Sequence, residues 1–201
     1  MDRPHCRSVT HWALSLSGKR QQGSAAAPIR DNLVTRPRGV VLQLVRNELL
    51  RGLRGFPGDR LQGRLRLVNL AKGDVLHLPG DPLDQVYFPE SAVLALTAET
   101  HAGESVDVVL VGKEGVAGAF EACGSRQCYT RTTVQIAGEA WRLSAAHYRE
   151  LFDSTPALRT AVHKHVELLL VEARQFVACN ALHTVENRLA RTLLDIADRL
   201  G

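Results

Sequence analysis

The stretch GDPLDQVYFPESAVLAL, residues 80–96, runs from a turn signal directly into β-forming residues. Gly80, Asp81 and Pro82 are typical of tight turns, and the aromatic and β-branched residues that follow favour extended structure. Pro89 is expected to end this first short strand, because proline has no amide hydrogen to donate to a neighbouring strand. Large and small apolar residues then alternate, which predicts a second strand. The stretch is therefore interpreted as two strands joined at a corner.

Short runs of the same kind continue on both sides of this stretch, over residues 65–144. They are separated by Gly, Pro or Asp at intervals of about eight to twelve residues, which is typical of antiparallel sandwiches and barrels. Two runs, SVDVVLV and TTVQIAG, alternate in part between apolar and polar residues, as strands with one buried face do. The middle of the chain is therefore predicted to be mainly β, with about eight short strands.

Helical spacing of apolar residues flanks the β region on both sides. The segment VVLQLVRNELLRGL, residues 40–53, predicts an amphipathic helix that ends at the following GFPG. Ser144 is a good N-cap for a short helix, and Ser154 is one for a long helix with Pro156 in its first turn. A last helix is predicted from Thr184 onward, with an apolar face and a polar, largely charged remainder.

The long helix carries a heptad-like series of apolar residues, which predicts an interface with a second copy of the chain. This seam consists of Val162, Val166, Leu169, Ala173 and Phe176. A second stripe lies on another face and consists of Leu168, Val171, Cys179 and Leu182. Since a single barrel covers only one side of a helix, we expect a partner helix on the other side, and hence a homodimer. The alternative is one broad stripe packed against the chain's own core.

The composition is that of a globular protein, with 45% hydrophobic and 23% charged residues among 201. No apolar run approaches the roughly 18 residues that span a bilayer, so no membrane partner is expected. The four cysteines, Cys6, Cys123, Cys128 and Cys179, lack the spacing of secreted disulfide-rich domains. Reduced thiols and a cytoplasmic location are therefore expected.

Basic residues are concentrated in the first third of the chain. Residues 1–66 carry 13 Lys and Arg against 4 Asp and Glu, whereas residues 67–201 carry 12 against 17. Residues 1–39 have no sustained periodicity, which predicts a disordered basic leader. A targeting peptide is one alternative, although the apolar patch at residues 12–16 is shorter than a secretory signal needs. A start codon assigned too far upstream is the other.

Four segments, GDVLHLPGDPLDQVYFPES, VGKEGVAGAF, EAWRLS and CNALHTVENRLARTLL, resemble the effector half of Crp/Fnr-type bacterial transcription regulators. The resemblance implies a cyclic-nucleotide-binding-like jelly roll (a double-stranded β-helix) with an N-terminal helix in residues 40–154, and a dimerisation helix in residues 155–183. Residues 184–201 would begin a DNA-binding domain, truncated here, and DNA contact is expected only where a helix-turn-helix follows. The alternatives are a fragment, a frameshifted reading frame, or a stand-alone ligand-binding or structural module without DNA contact.

The resemblance also implies where an effector would bind. The corresponding positions are Gly115, Val116, Ala117, Cys128, Tyr129 and Arg131. In family members that bind cyclic nucleotides, a glutamate accepts from the ribose hydroxyl and an arginine holds the phosphate. Alignment without gaps backward from EAWRLS puts Val116 and Cys128 at these two positions. Charge-assisted hydrogen bonds are worth about 1.5–3 kcal/mol each, and a neutral thiol supplies none. Conventional binding of cyclic AMP or GMP is therefore not expected, which leaves an unknown small molecule as the alternative effector.

Two departures from the family pattern concern the local geometry. Arg131 lies three residues beyond Cys128, and this odd offset along a strand points its side chain to the opposite face unless the loop shifts. Relatives tend to have glycine where this chain has Ala92, so a positive φ at that position would strain the turn.

Metal sites are not predicted. His163 and His165 point about 200° apart on a helix, which suits solvated side chains better than one shared metal ion. Cys179 and His183 share a helix face, but two ligands do not complete a site. Some members of this family bind haem, which makes His77 a candidate ligand by resemblance, yet a histidine in a strand more often packs or faces solvent.

Enzymatic chemistry is not predicted either. The sequence has no GxSxG, P-loop, HExxH or dinucleotide fingerprint. Cys123 and Cys128 flank a loop but lack the CxxC spacing of a redox pair. We therefore expect a regulatory protein without a cofactor.

Overall fold

The structure is a computed structural model that describes residues 45–52, 63–99 and 105–200. The predicted leader, residues 1–39, lies outside these residues, as does part of the helix predicted for residues 40–53. The strands are β1 (Arg66–Leu70), β2 (Val75–His77), β3 (Gln85–Pro89), β4 (Val93–Glu99), β5 (Ser105–Val111), β6 (Arg131–Ile136) and β7 (Gly138–Ser144). The helices are α1 (Glu48–Gly52), α2 (Ala119–Cys123), α3 (Ala145–Ser154), α4 (Pro156–Leu182) and α5 (Val185–Leu200).

The strands form two antiparallel sheets, of three strands in the order β1-β7-β3 and of four strands in the order β2-β6-β4-β5. Neighbours within each sheet are often far apart in sequence: Leu67 of β1 lies opposite Trp141 of β7. Repeated crossing between two facing sheets is the mark of a jelly roll. The predicted fold class, a mainly β jelly roll followed by a long helix and one further helix, is confirmed.

The stretch of residues 80–96 makes one of these crossings. Its first strand, β3, pairs with β7 of the three-stranded sheet, while its second, β4, pairs with β5 and β6 of the other sheet. Ala92, at the crossing, does not have positive φ, so the strain that a positive φ would cause there does not arise. The glycine that the crossing requires is Gly138 instead, because a Cβ at this residue would lie 2.5 Å from the Ala92 amide nitrogen.

Alternation along the strands creates three apolar layers. The layer between the sheets is formed by Val68, Leu70, Tyr87, Ala92, Leu94, Val109, Val111, Ala117, Val134 and Ala140. The outer face of the three-stranded sheet is covered by residues of α1, α3 and α4. The outer face of the four-stranded sheet packs against Ile196 of α5. The helices thus lie on both sides of the barrel.

The helix starts follow the predicted caps in part. Ser144 caps α3, since its side chain accepts a hydrogen bond from the His147 amide. The N-cap of α4 is Thr155 and not Ser154, which is the last residue of α3, while Pro156 occupies the first turn as expected.

None of the described helices is long and apolar enough to cross a lipid bilayer.

Candidate functional site

The β5–α2 loop, residues 112–118, connects the barrel to three helices. On the α1 side, the Glu48 amide donates to the Lys113 carbonyl oxygen at 2.8 Å. Asn47 Nδ2 donates to the carbonyl oxygens of Gly115 at 2.8 Å and of Pro89 at 3.0 Å. The Asn47 side chain also caps α1 by accepting from the Leu50 amide. The loop is therefore fixed to the segment that precedes the barrel.

His165 fixes the same loop to α4. Its ring is buried, and Nε2 lies 3.2 Å from both the amide nitrogen and the carbonyl oxygen of Val116. Which of the two is bonded depends on the imidazole tautomer. The approach requires Gly115, because a Cβ at that position would lie 2.4 Å from His165 Cε1. A glycine and a histidine thus join the loop to the long helix.

The expectation that both α4 histidines are solvated is wrong for His165. His163 is exposed, with its ring edge toward Phe152 at 6.0 Å between centroids. His165 is buried because it lies three residues after Val162 and four before Leu169, on the face that packs against the barrel. This spacing is the sequence signal that could have identified it.

The loop residues that the resemblance assigns to an effector point in different directions. Val116 packs among the helices outside the three-stranded sheet, whereas Ala117 packs in the layer between the sheets. The Ala117 amide and carbonyl exchange hydrogen bonds with Tyr87, at 2.8 and 3.0 Å. Arg131, at the start of β6, forms an ion pair with Glu99 of β4. Its guanidinium is therefore already neutralised within the chain.

Cys128 lies in an environment that is unfavourable for an anion. Burial, together with the charges of Glu121, Asp81 and Asp84, raises the pKa of its thiol to about 12. Its amide donates to the Asp81 carbonyl oxygen at 2.9 Å, and its carbonyl accepts from the Gly80 amide at 2.8 Å. A buried, neutral thiol thus occupies the position where the resemblance implies a phosphate-binding arginine. Tyr129, the next residue, is half-buried.

His77 is engaged by the protein through both ring nitrogens. Nδ1 lies 3.0 Å from Thr132 Oγ1 and Nε2 lies 2.9 Å from the Gln85 carbonyl oxygen. The ring also meets Tyr87 edge-on, with 5.6 Å between centroids. A haem iron would have to displace one of these hydrogen bonds, so this geometry suits a structural histidine.

A pH dependence follows from the two buried histidines. Burial lowers the pKa of His77 and of His165 below the usual value of about 6.5. The unfolded chain therefore binds more protons than the folded chain as pH falls below about 6.5, and the free energy of unfolding should decrease from there down to the folded-state pKa values. Urea denaturation at pH 7.5 and 5.5 should show a smaller decrease in His77→Gln and His165→Gln than in the wild type. Equal decreases in all three proteins would contradict this assignment.

Glu90 anchors the N-terminal segment and was missed by sequence reasoning. Its buried carboxylate accepts from the Arg46 amide at 2.7 Å, from the Asn47 amide, and from Trp141 Nε1. In the sequence Glu90 follows a proline in an apparent turn, which gives no signal for burial. Only the fold shows that three donors converge on it.

The predicted dimer seam of α4 faces the chain's own core. Val162 and Val166 pack in the layer outside the three-stranded sheet, and Leu169 and Ala173 pack against the layer between the sheets. The ring of Phe176 lies under the Arg191 guanidinium of α5, 3.9 Å from the centroid. In the single chain, the predicted seam is therefore occupied by contacts with the barrel and α5.

The opposite face of α4 carries an exposed apolar stripe. Leu168 is 62% exposed, Val171 58% and Leu182 80%. Together with Gln175 and Ala178 they are spaced three and four residues apart, which places them in one line along the helix. Cys179, which the sequence grouped with this stripe, is buried.

Other groupings of reactive side chains do not form sites in the described part of the chain. No group of three or more His, Cys, Asp and Glu side chains there could hold a metal ion. Cys123, Cys128 and Cys179 are free thiols. The geometry therefore offers a loop that couples barrel and helices.

Comparison with known proteins supports the fold. No family model and no curated protein matches the sequence. Among solved structures, the chain is similar to the c-di-GMP responsive global regulator CLP of Xanthomonas campestris, with 18% identity over 68% of this chain and 69% of that one, and a TM-score of 0.57. It is also similar to a putative transcriptional regulator of the Crp/Fnr family from Eubacterium rectale, with 12% identity over 75% and 70% of the two chains, and a TM-score of 0.64.

A third similar structure is a CooA mutant from Carboxydothermus hydrogenoformans. It is 12% identical over 79% of this chain and 99% of that chain, with a TM-score of 0.52. At such low identities the matches show a shared fold. The resemblance to the effector half of Crp/Fnr-type regulators is confirmed at this level.

Proposed function

We propose that this chain is the effector-sensing and dimerisation region of a Crp/Fnr-type bacterial transcription regulator that works in the cytoplasm. The observation that carries the proposal is the position of α4. One face of the helix packs against the β5–α2 loop and the barrel, while the opposite face is apolar and exposed. Such a helix is suited to pass a change in the loop to a second subunit.

The partner on the exposed stripe is a second copy of the chain. Heptad spacing of Leu168, Val171 and Leu182 suits an identical helix packed side by side around a two-fold axis. The Crp/Fnr resemblance supports the same arrangement, since the long helix dimerises in that family. DNA contact would then require a helix-turn-helix joined to α5.

The effector differs from a cyclic nucleotide. A phosphate at Cys128 would meet a neutral thiol in place of a cation, with the charges of Glu121, Asp81 and Asp84 acting on the same position, and Arg131 is paired with Glu99. The layer between the sheets is lined largely by aliphatic side chains and Tyr87. These features favour an uncharged effector, or a barrel that works as a rigid platform.

Titration calorimetry tests this point. We expect no saturable heat when cyclic AMP, cyclic GMP or cyclic di-GMP is added to the purified chain, because an anion gains no charge-assisted hydrogen bond and approaches three carboxylates. Heats should equal those of dilution into buffer. Saturable binding in the micromolar range would show that the ligand reaches a cationic site that the proposal lacks.

A further inference from the structure

Helix α5 docks on the barrel with its polar side inward. Arg199 is only 11% exposed, whereas Val185, Leu189 and Leu193 are more than half exposed. Ile196 is the α5 residue that packs in the apolar layer outside the four-stranded sheet. An amphipathic helix normally buries its apolar face, so the docking of α5 depends on polar contacts to an unusual degree.

Arg199 supplies these polar contacts. Its Nε donates to Glu114 Oε1 at 3.1 Å, and its Nη2 donates to the Leu110 carbonyl oxygen at 3.1 Å. The same Nη2 lies 3.1 and 3.2 Å from the carboxylate oxygens of Glu172. The aliphatic part of the side chain lies against Gly112, where a Cβ would come within 3.0 Å of it. One side chain thus joins α5 to β5, to the β5–α2 loop and to α4.

The docked position of α5 also has a cost. Within the described residues, the Nε atoms of Arg188 and Arg191 are buried without a hydrogen-bond partner. A buried donor without an acceptor opposes docking, although Arg191 Nε lies 3.8 Å from Asp195 Oδ2 and is partly compensated by that charge. The hydrogen bonds of Arg199 act beside the Arg191–Phe176 contact and the packing of Ile196, and their loss should weaken the docking of α5.

We propose that Arg199 is a latch that holds α5 on the barrel, and that movement of the β5–α2 loop opens it through Glu114. Glu114 lies two residues from Val116, so a loop movement that withdraws its carboxylate removes a direct partner of the guanidinium. Docked and released α5 are then two states whose populations an effector shifts. The regulatory role of the latch rests on the proposed function, whereas the docking of α5 is a property of the chain itself.

Hydrogen exchange of the full chain, followed by mass spectrometry, tests the latch. We expect amides of residues 190–200 to exchange about tenfold faster in Arg199→Gln and measurably faster in Glu114→Gln, because a released 16-residue helix is only marginally stable. Amides of β3, β4 and β7 should keep their wild-type rates. Glu114→Gln leaves the α5 sequence intact, so helix propensity cannot explain its effect. Lys164→Gln, which removes an exposed charge from α4, is the matched control and should change nothing.

Each outcome decides a part of the proposal. Unchanged exchange of α5 in both variants would overturn the latch, and so would equal acceleration in the strands, because Arg199 would then support the whole fold. Acceleration in Arg199→Gln alone would overturn the role of Glu114. Faster exchange of α5 in a chain that proves monomeric supports the latch while it contradicts the proposed dimer, so the two failures are distinguishable.

Discussion

Leu168→Glu is expected to convert the proposed dimer into monomers without unfolding the barrel. Each chain would bring a carboxylate to the centre of an apolar interface, and each buried leucine contributes about 1.5–3 kcal/mol. Two such losses weaken association by about 10² to 10⁴ fold. Since Leu168 is exposed in the single chain, the melting temperature of the monomer should change little. Sedimentation equilibrium and thermal denaturation measure the two effects separately.

Two neighbouring substitutions serve as controls. Leu170 is half exposed and lies about 200° around the helix from Leu168, so Leu170→Glu should leave the dimer intact. Leu169 packs against the barrel interior, so Leu169→Glu should lower the stability of the fold itself. A wild-type monomer, or equal loss of dimer in Leu168→Glu and Leu170→Glu, would show that the exposed stripe is not the interface.

The contrast between Leu168 and Leu169 shows what periodicity predicts in a sequence. Alternation and turn residues predicted the β region, because a two-residue apolar period in short runs between turn residues fits a strand and does not fit a helix. On α4 two apolar stripes both fit a helix, and the choice between them depends on where the barrel lies. That information comes from contacts between elements distant in sequence, such as Leu169 with the strands.

The candidate site shows the same limit. Val116 and Cys128 could be singled out from the chain, because the missing glutamate and arginine are local departures from a motif. The acidic residues near Cys128 could not be predicted in this way. Asp81 and Asp84 act on Cys128 only because the two loops that carry them pair with each other. The contact between Glu114 and Arg199 joins residues 85 positions apart, and no local sequence pattern predicts it.

Gly115→Ala is expected to cost about 2–4 kcal/mol of folding stability, a large share of the 5–15 kcal/mol typical of a domain. The added Cβ would lie 2.4 Å from His165 Cε1 and 2.9 Å from Val111 Cγ1. Since His165 sits on α4 and cannot swing away without losing its bond to Val116, either the loop or the long helix must shift. Urea denaturation would measure the loss, and Gly52→Ala is the matched control, because a Cβ there meets nothing within 4 Å.

A double-mutant cycle separates the His165 contact from general damage to the loop. On a His165→Ala background the nearest obstacle is absent, so Gly115→Ala should cost at least about 1 kcal/mol less than it does in the wild type. The contact with Val111 remains and prevents full rescue. If the two substitutions were additive, the Gly115–His165 approach would not be what joins the β5–α2 loop to α4. If the two substitutions are not additive, the contact that only glycine permits at position 115 would transmit changes from the β5–α2 loop to the exposed stripe of α4.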